Sequence, residues 1–314
     1  MEYDVIGDVH GHAAALEALL DNLGYVERGG AYRHSSGGRM AVFVGDLVDR
    51  GPDQLRAVEI ARRMRDAGSA AVVMGNHEHN AIGYATEDPD RNGHFLRIRG
   101  TKNKAQHKAF LDAVGEDSAL HRELVSWMGT LPLWFETDGI RVVHACWHQG
   151  LIDQLSARSR DGVLDEATLV ETFRKGSDLR EAAEIVLKGL EADLPEGVSF
   201  LDKNGHRRFK SRLRWWDEQA TTFAAAVVPE EGLDGLPEEE LPPEARVPPV
   251  SGKPLFFGHY WMSGEPRILS HDRTCVDFSI AKDGVLCAYS WRGEETLDPA
   301  NLTWVGQHAP AMAR

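Results

Sequence analysis

Three short polar runs early in the chain combine side chains that hold hard cations with side chains that move protons. They are Gly7-Asp8-Val9-His10-Gly11, Gly45-Asp46-Leu47-Val48-Asp49-Arg50-Gly51 and Gly75-Asn76-His77-Glu78. Carboxylate, imidazole and amide donors without a thiolate suit Mn²⁺, Fe or Zn²⁺. Asp8 and His10 are two apart, so a strand continuing through them puts both on one face. Asp46 has two oxygens with which to bridge two cations. Two divalent ions about 3.5–4 Å apart make a clamp for in-line displacement at phosphorus. Two further imidazoles, His144 and His259, each follow an apolar run, Arg141-Val142-Val143 and Phe256-Phe257-Gly258.

Each polar run follows a predicted strand, at residues 3–6, 40–44 and 70–74. A helix is expected over 13–23, with Leu16, Leu19, Leu20 and Leu23 at helical spacing and Gly24 as its C-cap. A second begins near Pro52, runs to 67 and closes at Gly68. Strands alternating with helices predict an α/β sheet, whose site lies outside the carboxyl ends of the strands. Further on we expect a helix over 118–128, a hairpin around Asp138-Gly139, helices over 166–174 and 179–190, and strands over 254–257, 274–279 and 285–291. Residues 149–250 read as an insertion in one domain spanning 1–314. Within it, 229–249 is rich in Glu and Pro and reads as a surface loop or mobile linker.

Composition limits the alternatives. The 314 residues carry 35 Lys and Arg against 49 Asp and Glu, a net charge of −14, with 42% hydrophobic residues. That balance is globular. The acidic excess argues against bulk nucleic-acid binding and against an anionic membrane surface. No apolar run reaches the length of a spanning helix. A start that enters a strand directly leads us to expect no secretory leader. Three cysteines form no disulfide framework, which fits a reducing, cytoplasmic setting.

In order and wording, the three runs resemble the signature blocks of the calcineurin-like metallophosphoesterases. The Asp-Arg-Gly and His-Glu endings are similar to the branch holding the phosphoprotein phosphatases and the symmetrical diadenosine tetraphosphatases. His144 and His259 match the fourth and fifth blocks. The resemblance implies a four-layer αββα sandwich carrying a helical and basic insertion. It implies two divalent ions, Mn²⁺ before Fe or Zn²⁺, one held by Asp8, His10 and Asp46 and the other by Asp46, Asn76, His144 and His259. A hydroxide bridging the ions would attack phosphorus. His77 would protonate the leaving oxygen, Asp49 would orient that imidazole, and Arg50 would grip the non-bridging oxygens. The expected activity is a protein phosphatase-like phosphomonoesterase. The alternatives are a symmetrical bis(5'-nucleosyl)-tetraphosphatase-like hydrolase and a non-catalytic scaffold for phosphorylated partners. The expected partner is thus a phosphoprotein or a nucleotide. Four positions depart from the pattern: Trp261 where many relatives carry a second His, Ala145-Cys146-Trp147 after His144, Val73-Met74 before Gly75, and Asp277-Phe278-Ser279.

Lys203, Arg207, Arg208, Lys210, Arg212 and Arg214 precede Trp215-Trp216. As one strand, Arg208, Lys210, Arg212 and Arg214 would share a face. One reading is a cationic flap over the site, with Arg212 and Arg214 gripping further phosphates and an aromatic stacking on a base. The other is a solvated face offsetting the acidic tract. His12, His79 and His148 are expected in supporting or surface roles, and Cys146 as a packed residue.

Overall fold

The structure is a computed structural model that describes all residues except 202–204, 229–232, 234, 251 and 308–314. Strands Glu2–Ile6, Arg39–Phe43 and Ala70–Val72 lie side by side and parallel, with Val5 opposite Val42 and Phe43 opposite Val72. On the other side of Glu2–Ile6 the sheet continues antiparallel through Val285–Trp291 to Asp277–Phe278, and Leu302–Gly306 also pairs with Val285–Trp291. A second sheet runs in the order Arg273–Cys275, Leu255–Phe257, Arg141–Val143, Trp134–Glu136.

Side-chain alternation along these strands builds the layers. Val5, Val42, Val73, Val142, Phe256 and Tyr289 meet in a core between the two sheets. Their chain neighbours Ile6, Phe43, Val72, Val143, Phe257 and Ala288 pack outward with helix residues such as Leu16, Leu19, Ala57, Val58, Ile152 and Val186. Strands buried on both faces read as continuous apolar runs, as 40–44 and 70–74 do. Helices Ala13–Asn22 and Gln54–Asp66 cover the first sheet. Outside the second, Trp215 and Trp216 lie 5.0 and 5.1 Å from the Phe257 ring. This is the expected layered sandwich.

The structure redraws several sequence expectations. Residues 274–279 are not one strand: Arg273–Cys275 belongs to the second sheet, Asp277–Phe278 to the first, and the buried Val276 carries the chain between them. The 75–78 run is not a loop, because Asn76 and His77 open the helix Asn76–Ala85. The 208–214 run is not one strand. Arg207–Arg208 and Lys210–Arg212 pair with different partners, Phe200–Leu201 and Glu191–Asp193, on either side of Phe209. Trp215 and Trp216 are buried in the core, and so are unavailable to stack on a base. Within the expected insertion, helices Gln149–Ser156 and Asp178–Lys188 contribute Ile152, Leu155, Ala182 and Val186 to the main core. A small separate core begins only at Leu190, joining Leu194, Phe200, Leu213, Phe223, Leu241 and Ala245. The buried Leu241 and Ala245 thus anchor the second half of the tract read as a surface loop or mobile linker. The expectations for Lys203 and for 229–232 fall outside the described residues.

Phe256 is fully buried between the sheets, 5.0 Å from the Tyr289 ring. Phe256→Ala should therefore lower the unfolding free energy by about 3–5 kcal/mol. Trp304 is 42% exposed, and Trp304→Ala should cost well under half as much. Urea denaturation of the two variants checks the contrast.

Candidate metal centre and substrate cavity

The parallel strands deliver their polar runs to one edge, and the backbone locks the runs together. The N–H groups of Val9 and His10 donate to the Asp46 carbonyl, and the Gly11 N–H donates to that of Leu47. The Glu78 carboxylate is fully buried and accepts three backbone N–H groups, from Asp46 and Gly75 on one oxygen and from Leu47 on the other, at 2.8–2.9 Å. It ties the second run to the third. At the start of the helix Asn76–Ala85 the His77 N–H donates to Asp46 Oδ1 at 2.9 Å, which places the positive end of the helix against a carboxylate. A Cβ on Gly75 would lie 2.2 Å from Asp46 Oδ1, and one on Gly258 2.1 Å from Asp8 Oδ1, so both positions exclude a side chain. Among the described residues, six of the ten non-glycine positions with positive φ are His10, Asp46, Asp49, Arg50, His259 and Trp261. Strain of that kind persists only where the surroundings over-determine it.

Two groups of ligand-type atoms share Asp46. His10, Asp46 and His77 lie mutually within 4.8 Å, and so do Asp46, His144 and His259. His10 Nδ1 donates to the Val48 carbonyl at 2.9 Å and His144 Nδ1 to that of Val44 at 2.8 Å. The His10 Nε2 is then a lone pair, 3.7 Å from an Asp46 oxygen, and the His144 Nε2, 3.4 Å from Asp46, becomes one when its proton leaves. This is the orientation that metal-ligating histidines adopt. His10 Nε2 and His259 Nδ1 are buried without a hydrogen-bond partner, a costly state unless something else satisfies them. The Asn76 amide oxygen sits 3.1 Å from His144 Nε2. Asp8 lies outside both triads and accepts the His259 N–H at 3.3 Å.

The electrostatics mark a centre short of positive charge. Burial pushes Asp8 well above the usual carboxylate range, and Asp277 and Asp46 add to the effect. Asp277, accepting the N–H groups of Trp261 and Ser279, is raised by burial too. Burial also opposes the Asp46 charge, but His144, His77 and His10 hold that carboxyl well below its ordinary value. Burial, with His77 and Arg50, pushes His10 down to about 3, so its imidazole is neutral. Burial acts against a proton on His144, yet Asp46 lifts its pKa to about 10. Buried carboxylates, neutral imidazoles and one proton standing in for positive charge fit a divalent-cation site, where binding would expel that proton.

Of the other expected site residues, Asp49 and His77 are paired, with His77 Nδ1 2.5 Å from Asp49 Oδ2. The Arg50 guanidinium lies 4.3 Å over the Trp261 ring. Beside the centre is a cavity of about 450 Å³. Among its lining groups are Asp49, Arg50, Asn76 and His77, and the cations Arg97, Lys102, Lys188 and Arg208. Arg212 and Arg214 are not among them. Arg212 lies 5.8 Å from the Tyr260 ring, and Arg214 lines a different cavity with Leu213, Trp215 and Val247. Phe209 separates Arg208, which reaches this cavity, from Arg212, whose charge acts on His259. Sequence reasoning also missed Arg97, the scaffold role of Glu78 and the His107 contact to Asp49. Glu78 stood inside a recognised block, whereas Arg97 and His107 sit in a stretch with no periodic signal.

Residues 1–194 match the family model of the calcineurin-like phosphoesterases. The chain belongs to that family. Its members are metal-dependent hydrolases of phosphate esters, and divalent ions belong to the family's chemistry. The chain is 46% identical over 183 residues to the asymmetrical bis(5'-nucleosyl)-tetraphosphatase PrpE of Halalkalibacterium halodurans, covering 57% of this chain and 71% of that one. It is 26% identical to the symmetrical bis(5'-nucleosyl)-tetraphosphatase of Photorhabdus laumondii over 97% of this chain and 98% of that one. The chain spans about two thirds of the length of the asymmetrical relatives it matches. A single-residue mutant of a cold-active protein tyrosine phosphatase shares the fold, with a TM-score of 0.51 at 18% identity over 95% of this chain and 80% of that one. Among the described residues no helix is long and apolar enough to cross a membrane.

Glu78→Gln would turn an amide N–H₂ toward at least one of three buried backbone N–H groups. It should cost about 1–3 kcal/mol of stability without changing volume. An unaltered denaturation midpoint would show that the three-way contact does not hold the runs together.

Proposed function

We propose that this phosphoesterase hydrolyses dinucleoside polyphosphates, using two divalent ions. Asp8, His10 and Asp46 would hold one ion, and Asp46, Asn76, His144 and His259 the other. Bound there, the ions would supply Lewis-acid charge for the phosphoryl oxygens and lower the pKa of coordinated water; Mn²⁺ suits the oxygen-and-imidazole donor set. The single observation that carries the substrate reading is the charge of the adjoining cavity. Lys188 pairs with Glu184 at 2.7 Å. Arg50, Arg97, Lys102 and Arg208 have no carboxylate ion pair among the described residues. Four cations without an ion-paired carboxylate exceed what one phosphate monoester needs and match a chain of phosphates. Arg97 is also held in place by amide oxygens alone, those of Asn80, Asn103 and Gln106 at 2.5–3.1 Å. Its charge is therefore left for a ligand. The names of the tetraphosphatase relatives support this reading.

The chain's own groups divide the remaining work. Arg50, steadied on Trp261, binds non-bridging oxygens of the reacting phosphate. Burial lowers the His77 pKa, but Asp46 and Asp49 more than offset it, so the imidazole is raised toward its protonated form. Held through Nδ1 by Asp49, it can give the Nε2 proton to the leaving oxygen. The protein phosphatase-like reading needs only that one phosphate site, and it leaves Arg97, Lys102 and Arg208 idle. A scaffold role would not need the whole set of candidate ligands with the acid beside them. Three unpaired, buried cysteines support a reducing cytoplasmic setting.

Two experiments test this reading. With Mn²⁺ present, Asp46→Asn should abolish turnover and His77→Asn should lower kcat by roughly 10²–10⁴-fold; unchanged turnover in both refutes the assignment. Arg97→Ala and Arg208→Ala should each lower kcat/KM for diadenosine tetraphosphate by roughly 10–100-fold, the worth of a charge-assisted hydrogen bond. The same variants should hardly change p-nitrophenyl phosphate turnover. Equal losses on both substrates, or turnover confined to phosphopeptides, would favour the monoesterase.

A further inference from the structure

Asp49 has a second imidazole partner that the proposed reaction does not use. Its carboxylate is 2% exposed and sits between two rings, with His77 Nδ1 2.5 Å from Oδ2 and His107 Nδ1 2.7 Å from Oδ1. Its backbone N–H donates to Gln54 Oε1 at 2.6 Å. Both imidazoles must donate, because an ionised carboxylate only accepts. Burial opposes the Asp49 charge, and the His107 hydrogen bond is the largest influence restoring it, ahead of His77.

His107 is not an incidental core residue. It is 5% exposed, packs 5.0 Å from the Phe110 ring and 5.6 Å from that of Tyr84, and lines the cationic cavity. Its Nε2 is buried and has no hydrogen-bond partner. It joins the helices Thr101–Gln106 and Lys108–Val114. The first of these buries none of its residues and places Lys102, Asn103 and Gln106 on the same cavity. The wall that meets the substrate therefore runs directly into the residue that holds Asp49.

We propose that His107 is a positioning residue for phosphoryl transfer, pinning the Asp49 carboxylate so that Asp49 orients His77 and linking that orientation to the cavity wall. With Nδ1–H on Oδ1, the carboxylate cannot rotate, and Oδ2 stays directed at the His77 ring. Without it, one buried oxygen loses its donor and the His77–Asp49 pair loses its fixed geometry. This inference rests on the reading of His77 as the proton donor.

The test compares His107→Leu, His107→Asn and His77→Asn on p-nitrophenyl phosphate and on phenyl phosphate, whose poorer leaving group needs a proton more. Mn²⁺ affinity serves as the control for an intact centre. His107→Leu should lower kcat on phenyl phosphate by roughly 10–100-fold, the usual effect of losing an orienting partner, and on p-nitrophenyl phosphate far less. His107→Asn, whose amide N–H can reach Oδ1, should recover most of the loss. The downfield imidazole N–H resonance of His77 should persist in His107→Asn and broaden in His107→Leu. Equal losses on both substrates, or a failure of Asn to rescue, would assign His107 a merely structural part. A His77 resonance and rates unchanged in His107→Leu would overturn the proposal outright. If His77→Asn itself shows no dependence on the leaving group, the reading of His77 falls instead.

Discussion

Like charges buried together in a place that water does not reach are the constraint on which the rest of this structure turns. Asp8, Asp46 and Asp277 are each 3% exposed or less, and the charge of Asp46 opposes the ionisation of both Asp8 and Asp277. A carboxylate taken out of water costs several kcal/mol unless it is paired or bound to a cation. Of the histidines close to Asp46, burial drives His10 and His259 neutral, while the carboxylate holds a proton on His144. The arrangement is stable as a cation site and expensive as anything else.

Much of the fold can be understood as the means of holding that arrangement. Residues at positive φ, a glycine pressed against each of two carboxylates, and Glu78 bridging two loops are local costs concentrated at one edge of the sheets. The core between the sheets, with its fully buried valines and aromatic residues, offsets them. The residues that would meet substrate stand on more weakly buried elements, a short helix with no buried residue and the strand carrying Arg208. A rigid centre is thus joined to a less constrained wall, a division common to enzymes whose specificity lives in their loops.

How much of this is legible in the sequence depends on the kind of signal. The parallel strands and their helices are visible because both faces of each strand are buried, leaving apolar runs bounded by glycine. Asp8, His10, Asp46, Asn76, His77, His144 and His259 are visible because they follow such runs. The sheet crossing at Val276 is not, since an apolar residue looks alike in either sheet. A continuous strand would put Arg208, Lys210, Arg212 and Arg214 on one face and so cannot single out Arg208, whereas the folded chain splits the run at Phe209 between two different strand pairs. Arg97 and His107 lie in a polar stretch whose short helices carry no hydrophobic period, so only tertiary contacts reveal them. Of the residues expected to hold the second ion, Asp46, His144 and His259 stand together, with the Asn76 amide oxygen 3.1 Å from His144. At the first site, His77 stands with His10 and Asp46, and Asp8 faces His259 instead.

In the proposed centre Asp46 serves two cations at once. Calorimetric titration of the metal-free chain with Mn²⁺, read alongside its electron paramagnetic resonance, tests this most directly. Two ions per chain are expected, magnetically coupled through the shared carboxylate, with protons released on binding. Uptake of no ion, or of a single isolated one, would contradict it.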